Sequence, residues 1–292
     1  MSDLQVLLVG YGAWAGAFLL LGIGSTCYRG WRRRGRGRPA TRDYQLRARL
    51  KRLARPTLLL FPARSPGFSK LGGHPELPPD VPWPIGEDGP LTFVAQLDLG
   101  AFQPYGEFAW LPRAGSLFFF FDDARNGDPN CGVLLFSRGA PGAPQSPPVE
   151  PPKHRRFAER RVGFMKLRSF PSPDWLNQDL GAVDWESWDF AREADFGDEI
   201  EHRLGGYPSE IQGGQMALEC ECLRRGRTLD YRDPVPAAVR HAARQWRLLL
   251  QIDSDPALGM NWWDDGRIYV FVRARDAKRG DFSRTVTITQ TH

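Results

Sequence analysis

The chain contains few cysteines, only four among its 292 residues. Cys27, Cys131, Cys220 and Cys222 are too scattered to form the disulfide framework of a small secreted protein. Cys220 and Cys222 form a single Cys-x-Cys pair, and the absence of a second pair argues against a zinc site. We predict a strand over 216–223, which would place both thiols on one side as reduced, buried groups. A reducing compartment fits this cysteine usage best.

The sequence also lacks the common signatures of catalysis and cofactor binding. It has no P-loop, no dinucleotide-binding fingerprint and no nucleophile elbow. None of the five histidines has a partner at metal-ligand spacing. His74 could act as a base or a ligand beside a Gly-Gly turn, but Tyr207 takes the corresponding position in the second half. We therefore predict no cofactor and no metal, and the residues leave open whether the chain is an enzyme.

Acidic residues are almost missing from one segment, residues 29–55. This segment carries twelve Lys or Arg and only one acid, so the basic balance of the whole chain, +5, belongs to a short arm. The remainder is mildly acidic. This distribution argues against a broad nucleic-acid-binding face on the body of the protein.

The one long hydrophobic run extends from residue 4 to residue 27. A helix of this length can cross the ~30 Å hydrocarbon layer, which needs roughly 20 residues. A cleaved signal peptide is the alternative, but such peptides carry their positive charge before the apolar run, and here the arginines follow it. The positive-inside bias then predicts a single-pass anchor in the inner membrane, over 1–28, with the N-terminus outside and the body in the cytoplasm.

A short basic helix is predicted over 45–54, with Leu46, Leu50 and Leu53 on one face. The helix could lie on an anionic membrane surface. Equally, it could be a connector that packs its leucines onto the body. With the hydrophobic run, the arm over 29–55 makes the membrane one predicted partner.

The body contains the same three features twice and in the same order. A Gly-Gly-x-Pro turn, a strand with Gln-x-Asp and an apolar strand that begins at a glycine recur in both halves. This repetition predicts an internally duplicated α+β fold, mostly antiparallel sheet with few helices. The predicted domain runs over 56–290, with a first half over 56–138, an exposed Pro-rich linker over 139–153 and a second half over 154–290.

Alternation along the two Gln-x-Asp strands predicts which side chains face the core. In the first strand, over 91–99, Phe93, Ala95, Leu97 and Leu99 would share one face and Val94, Gln96 and Asp98 the other. In the second, Gln251 and Asp253 would lie opposite Leu248, Leu250 and Ile252. Phe118–Phe121 would form a central strand buried on both faces. Helices are predicted over 236–247 and around Trp185, Trp188 and Ala191.

Several motifs resemble those of a known family. They are Gly-Gly-x-Pro-x-Leu-Pro through Ala-Gln-Leu-Asp-Leu over 72–99, Leu-Gly-Gly-Tyr-Pro-Ser-Glu-Ile-Gln over 204–212, the stretch over 248–255, Trp-Asp-Asp-Gly-Arg-Ile-Tyr over 263–269 and Asp-Phe-Ser over 281–283. Together they resemble the YwqG-like family (domain of unknown function 1963), mostly bacterial, over roughly 56–290. The resemblance implies a duplicated α+β domain. It implies no established activity and no catalytic residues, and the hydrophobic run and the linker depart from the soluble members.

The candidate site combines the two Gln-x-Asp pairs with nearby polar residues. The set is Gln96, Asp98, Gln251 and Asp253, with Glu210, Gln212, Asp264 and Asp265. Two carboxylates brought together by the repeat could share a proton, hold a hard cation or support acid–base hydrolysis. Alternatively, they could satisfy the backbone amides of the nearby turns. Trp83, Trp110, Trp262 and Trp263 could line a groove for sugars or peptides, or belong to the core and its rim.

Two classes of function follow from these features. The favoured one is a non-enzymatic protein-binding or interaction module tethered to the membrane, for example a toxin-neutralising protein. The alternative is a hydrolase or small-ligand-binding domain that uses Asp98 and Asp253, and it requires both carboxylates to converge within ~10 Å on an open pocket. A purely structural membrane scaffold is the third.

Overall fold

A computed structural model describes residues 41–63, 67–125, 127–172, 175, 201–213, 215–230 and 234–292. The predicted span over 4–27 and the predicted helix around Trp185, Trp188 and Ala191 lie outside these ranges. Within them, no helix combines the length and the apolar character needed to cross a bilayer. The dominant element of the described chain is one ten-stranded antiparallel sheet.

Five sheet strands come from each half of the chain. The first half contributes β1 (Arg55–Pro62), β2 (Lys70–Leu71), β5 (Thr92–Asp98), β6 (Ser116–Phe121) and β7 (Gly132–Ser137), with a small separate hairpin of β3 (Ile85–Gly86) and β4 (Gly89–Pro90). The second half contributes β8 (Arg160–Ser169), β9 (Arg203–Gly205), β10 (Trp246–Asp253), β11 (Arg267–Arg273) and β12 (Val286–Gln290).

The helices of the described residues are few and short. They are α1 (Thr41–Leu53), α2 (Met216–Arg224), α3 (Ala237–Ala243) and α4 (Ala274–Arg279), with 3₁₀ turns at Gly100–Tyr105, Asp123–Arg125 and Lys153–Arg155. The chain is thus a sheet-rich α+β protein. The helix predicted over 236–247 ends earlier than expected, because Trp246 already begins β10.

The strand predicted over 216–223 is wrong, because this segment forms α2. Its apolar residues follow helical rather than alternating spacing: Met216, Ala217 and Cys220 pack against β10 and β11. Leu218 and Cys222 instead pack against α3. The two thiols therefore belong to different clusters, and burial raises the pKa of Cys220 and of Cys222.

The order of strands in the sheet is symmetric about its centre, so that corresponding strands of the two halves lie at equal distances from the two edges. It runs β12-β11-β10-β9-β1-β8-β2-β5-β6-β7, so β1 and β8, the first strand of each half, pair at the centre. Their antiparallel register extends from Arg55 opposite Ser169 to Pro62 opposite Val162. On its other side β1 pairs with β9, and β8 pairs with β2. Each half therefore donates its first strand to the sheet of the other half.

The sheet curls into a nearly closed barrel. Its two edge strands approach each other where the Thr287 amide donates to the Pro129 carbonyl at 3.0 Å. Phe136, from β7, and Phe282, just before β12, lie 5.3 Å apart between ring centroids. The inner face is a single apolar core to which both halves contribute, with Leu97, Phe119, Leu250, Ile252 and Val270 among its members. Curling in this way also protects the strand edges, which would otherwise be free to pair with other chains.

A β-bulge interrupts the alternation at the same place in both halves. The pairing of β5 with β6 shifts between Phe93 and Ala95, and that of β10 with β11 shifts between Leu248 and Leu250. The extra residues, Val94 and Leu249, both pack in the inner core. The predicted faces are therefore wrong before each bulge: Phe93 and Leu248 lie on the outer face, with Gln96 and Gln251.

The outer face of each half is covered by its own insertion. On the first half, the Pro- and Gly-rich loop over 72–91 contributes Leu77 and Trp83 to a cluster around Phe118 and Phe120. On the second half, α2 covers the outer face of β10 and β11. Because Phe119 and Phe121 face inward, the prediction that β6 is buried on both sides is confirmed. The linker over 139–153 is mostly exposed, as predicted, and Val149 retains 64% of its exposure.

The basic helix α1 is attached to the body. Leu46 and Leu50 are buried, and the Leu53 carbonyl accepts a hydrogen bond from the Tyr207 hydroxyl at 3.1 Å. Arg168 donates to the Ala54 carbonyl at 2.9 Å. These contacts favour the connector over the alternative in which the leucines enter a membrane. Arg49, Lys51 and Arg52 remain exposed.

The buried carboxylate of Glu221 fastens α2 to the sheet. It accepts hydrogen bonds from Arg224 and Arg225 and from the Trp246 indole at 3.1 Å. Burial alone would raise its pKa, but these donors lower the pKa to about 2. We predict that Glu221→Gln lowers the free energy of unfolding by roughly 2 kcal/mol, because the charged acceptor is lost.

Urea unfolding of the two proteins measures this difference. Glu219→Gln, on the same helix, is the matched control, and we expect it to change stability by less than about 0.5 kcal/mol. An equal effect of the two substitutions would contradict the proposed role of Glu221.

Candidate functional site

The two glutamines of the candidate site are buried and make equivalent hydrogen bonds in the two halves. The Gln96 side chain accepts from the Glu76 amide at 2.9 Å and donates to the Phe68 carbonyl at 2.8 Å. Gln251 accepts from the Ser209 amide at 2.9 Å and donates to the Glu201 carbonyl at 3.1 Å.

Each glutamine thereby joins the chain just before the short strand β2 or β9 to the chain just after the Gly-Gly turn. The turns themselves need glycine: Gly72, Gly73, Gly205 and Gly206 all have positive φ angles, which other residues adopt only at a cost. The buried amide side chain satisfies backbone groups that are themselves buried or part-buried. This geometry matches the structural reading of the Gln-x-Asp motif.

The two aspartates of the motif have different surroundings. Asp98 is half-buried and accepts a hydrogen bond from the Gly100 amide at 2.8 Å. Asp253 is buried and accepts from the Glu201 amide at 2.8 Å, and it forms an ion pair with Arg267 at 3.1 Å. Burial raises the pKa of Asp253, and the positive charge of Arg267 opposes that shift.

The two aspartates do not face a common cavity. Four strands, β9, β1, β8 and β2, separate β10 from β5 in the sheet. In a nearly closed ten-stranded barrel, strands so spaced lie on opposite walls. Both side chains share the outer face with their glutamines, away from the inner core. The assignment of Gln96, Asp98, Gln251 and Asp253 to ligand binding stays a prediction. A reaction that needs both carboxylates in one pocket does not fit this geometry, because Asp98 and Asp253 lie on opposite walls.

The other polar residues of the predicted site are dispersed. Gln212 is exposed and donates to the Thr291 carbonyl at 2.8 Å. Asp264 and Asp265 are exposed, and Asp265 has a φ of 44°. In the described part of the chain, no three or more His, Cys, Asp or Glu side chains are grouped so that they could hold a metal ion.

Trp83, Trp262 and Trp263 have different surroundings. Trp83 donates to the Leu91 carbonyl at 2.9 Å and packs edge-on against Phe120 on the outer face. Trp262 is buried in the inner core. Trp263, with 38% of its surface exposed, lies 6.0 Å from Phe121 between ring centroids. Trp83 and Trp263 thus lie on different faces of the barrel wall.

One polar cluster was missed by sequence reasoning. His202 contacts the Asp255 carboxylate through Nε2 at 3.3 Å, and Arg160 forms an ion pair with the same carboxylate. The Asp253 amide donates to His202 Nδ1 at 3.2 Å, so Nδ1 accepts and Nε2 carries the proton in the neutral ring. The cluster occupies the barrel end capped by the β10–β11 connection over 254–266. No spacing signal could reveal it, because Arg160, His202 and Asp255 come from three separate segments.

A second feature was also missed, at the other end of the barrel. There the β5–β6 connection over 99–115 leaves a cavity of about 580 Å³. Arg113, Arg138 and Lys278 line it together with apolar side chains. These three cations are far apart in the sequence, and only the closure of the barrel brings Lys278 to the first half.

We predict that the two glutamines contribute equally to stability. Gln96→Ala and Gln251→Ala should each lower the free energy of unfolding by about 2–3 kcal/mol, because each leaves a buried amide and a buried carbonyl without a partner. Exposed Gln103→Ala is the control and should be nearly neutral. Denaturant unfolding of the three variants provides the comparison, and a stability loss confined to only one half would refute the equivalence.

We also predict a pH dependence from Asp255. The hydrogen bond from His202 and the charge of Arg160 outweigh burial and lower its pKa to about 2. Because the folded-state pKa lies below the ordinary value, the stabilisation is present above about pH 4 and lost as the pH falls towards 2. Asp255→Asn should cost roughly 2 kcal/mol at pH 7 and progressively less in acid.

Unfolding free energies measured from pH 7 to pH 2.5 test this dependence, with exposed Asp80→Asn as the control. A cost of Asp255→Asn that does not change with pH would mean that the carboxylate contributes only through its shape.

Comparison with known proteins identifies a family for the chain. A search of curated proteins finds no match to the chain. The family described as "Domain of unknown function (DUF1963)" matches residues 69–290. This range includes both Gln-x-Asp motifs and every sheet strand except β1. Since the match covers well over half of the sequence, the chain belongs to the DUF1963 family.

Proposed function

We propose that the protein is a membrane-tethered binding module that captures a protein partner and does not turn over a substrate. In this proposal residues 4–27 span the inner membrane once, and the body faces the cytoplasm. The body is a YwqG-like domain that arose by duplication of a half-sized unit. Neutralisation of a toxin is one role that such a module would perform.

The proposal rests on the hydrogen bonds that the Gln-x-Asp motifs make with the protein's own backbone. Gln96 and Gln251 each bind a backbone amide and a backbone carbonyl of their own half. The Asp253 carboxylate accepts from a backbone amide, from Gln251 and from Arg267. A general acid or nucleophile must be free to contact a substrate, and these groups are occupied by the framework. Their arrangement supports binding by a rigid scaffold.

The attachment of α1 supports the tether. The helix follows the predicted span after a short arginine-rich segment, and its buried leucines and backbone contacts with Tyr207 and Arg168 join it to the body. Its exposed cations, Arg49, Lys51 and Arg52, would then lie near the anionic lipid surface, where each adds about 1 kcal/mol of attraction. The body would be held close to the bilayer in one orientation.

Proximity labelling in the native membrane tests the proposal. A labelling enzyme fused after His292 should enrich the same protein from cells that express the full chain and from cells in which an unrelated span replaces residues 4–27. Residues 1–55 joined to an unrelated cytoplasmic domain provide the control and should not enrich it. If repeated experiments enrich no protein above this control, the proposal of a protein partner is wrong.

Topology is tested separately. A reporter that is active only outside the cytoplasm, fused after His292, should remain inactive, whereas the same reporter fused before Met1 should be active. The reverse pattern would contradict the proposed orientation without bearing on partner binding.

A further inference from the structure

The cavity beneath the β5–β6 connection has the dimensions of a ligand site. Its volume of about 580 Å³ lies within the roughly 300–1,000 Å³ of small-molecule pockets, which often occupy the mouths of β-barrels. The segment over 102–114, together with Arg138, forms one wall, and Lys278 of α4 reaches it from the second half.

The charge at the rim of the cavity is entirely positive. Arg113, Arg138 and Lys278 are its charged lining residues, and no Asp or Glu is among the lining residues. All three side chains are exposed, and within the described ranges none of them forms an ion pair. The Arg138 guanidinium is 5.5 Å from the centroid of the Phe136 ring. Some exposed cations elsewhere on the body have an acidic neighbour, such as Lys166 with Glu107 at 2.9 Å.

The floor of the cavity is apolar. Phe102, Phe108 and Leu111 line it, and all three are part of the inner core. Phe102, Phe108 and Leu111 are 1%, 5% and 4% exposed, so a ligand would contact their outermost edges. It would also meet Ala109, Pro112 and Ala114 and the three exposed cations. This combination matches a molecule with a negative group at one end of an apolar body.

The connection at the opposite end of the barrel also places apolar side chains in the core. There the equivalent connection over 254–266 places Leu258, Met260 and Trp262 in the core. Trp262 packs against Phe121 and Phe157, with centroid distances of 5.5 Å in both pairs. Both connections thus contribute side chains to the inner core, and the one over 99–115 also borders the cavity.

We propose that the cavity between the β5–β6 connection and α4 binds a small organic anion with an apolar body, such as an aryl or alkyl carboxylate, sulfonate or phosphate. Arg113, Arg138 and Lys278 hold the anionic group, and Phe102, Phe108 and Leu111 contact the apolar body. This site goes beyond the proposed capture of a protein partner and does not depend on it.

Calorimetric titration of the full chain in lipid nanodiscs tests the site, with empty nanodiscs as the blank. The probe is 2-naphthalenesulfonate, and the comparison compounds are neutral 2-naphthalenemethanol and inorganic sulfate, which each lack one half of the recognised chemistry. We expect saturable binding of the probe and binding at least about tenfold weaker for either comparison compound.

Substitutions identify the residues responsible. Arg113→Gln, Arg138→Gln and Lys278→Gln should each weaken probe binding about two- to fivefold, the range for a partly exposed charge pair. Arg227→Gln, an exposed cation remote from the cavity, should have no effect. Ala109→Trp, at an exposed lining position, should block the cavity and abolish binding while leaving all three charges in place.

The outcomes separate this site from the partner proposal. No saturable binding of the probe, or binding unchanged by both Ala109→Trp and the triple glutamine variant, would overturn the assignment of the site. Neither result affects the labelling experiment, because partner capture is measured without the probe. Equal binding of the neutral compound would overturn the role of the cations.

Discussion

The pairing of β1 with β8 is the contact on which the rest of the structure depends. These are the first strands of the two halves, and they pair along their length at the centre of the sheet. Their outer edges then bind the short strands of the opposite halves, β9 and β2. Neither half has a complete sheet without a strand from the other, so the two halves form one barrel with one core. The closeness of the edge strands and the shared inner cluster follow from this exchange.

Each half also contains a β-bulge that is followed by a buried glutamine. The bulges at Val94 and Leu249 place Gln96 and Gln251 on the outer face, where each glutamine binds the backbone on both sides of a Gly-Gly turn. The two halves are alike where backbone groups must be satisfied. They differ at the barrel ends, where the connection over 99–115 borders the cationic cavity and the connection over 254–266 contributes Asp255 to the cluster with His202 and Arg160. We therefore expect function to lie where the two halves differ.

Much of the fold could be predicted from the sequence. The Gln-x-Asp motif indicated the two equivalent strands, β5 and β10, because buried amide groups and glycine turns leave a residue-level signature. Alternation predicted the faces correctly only after the bulges, since a single extra residue exchanges the two sides of a strand and leaves no local signal. Alternation also misidentified α2, where two apolar faces, one on the sheet and one on α3, resemble a strand buried on both sides.

The candidate sites were less predictable, because they depend on how the barrel closes. Asp98 and Asp253 are alike in sequence but lie on opposite walls, whereas Arg113, Arg138 and Lys278 are unrelated in sequence and share a cavity. His202 and Asp255 meet only because β9 lies beside β10. Strand order, which hydrophobic patterns do not encode, decides all three cases.

Cutting the chain between Pro148 and Val149 tests the exchange of strands most directly. This cut lies in the exposed linker and removes no strand, so it separates the halves while leaving every residue present. If each half needs a strand from the other, the two fragments expressed together should form a one-to-one complex that unfolds cooperatively, and neither fragment should do so alone. Cooperative unfolding of either fragment by itself would contradict the view that the two halves form a single barrel.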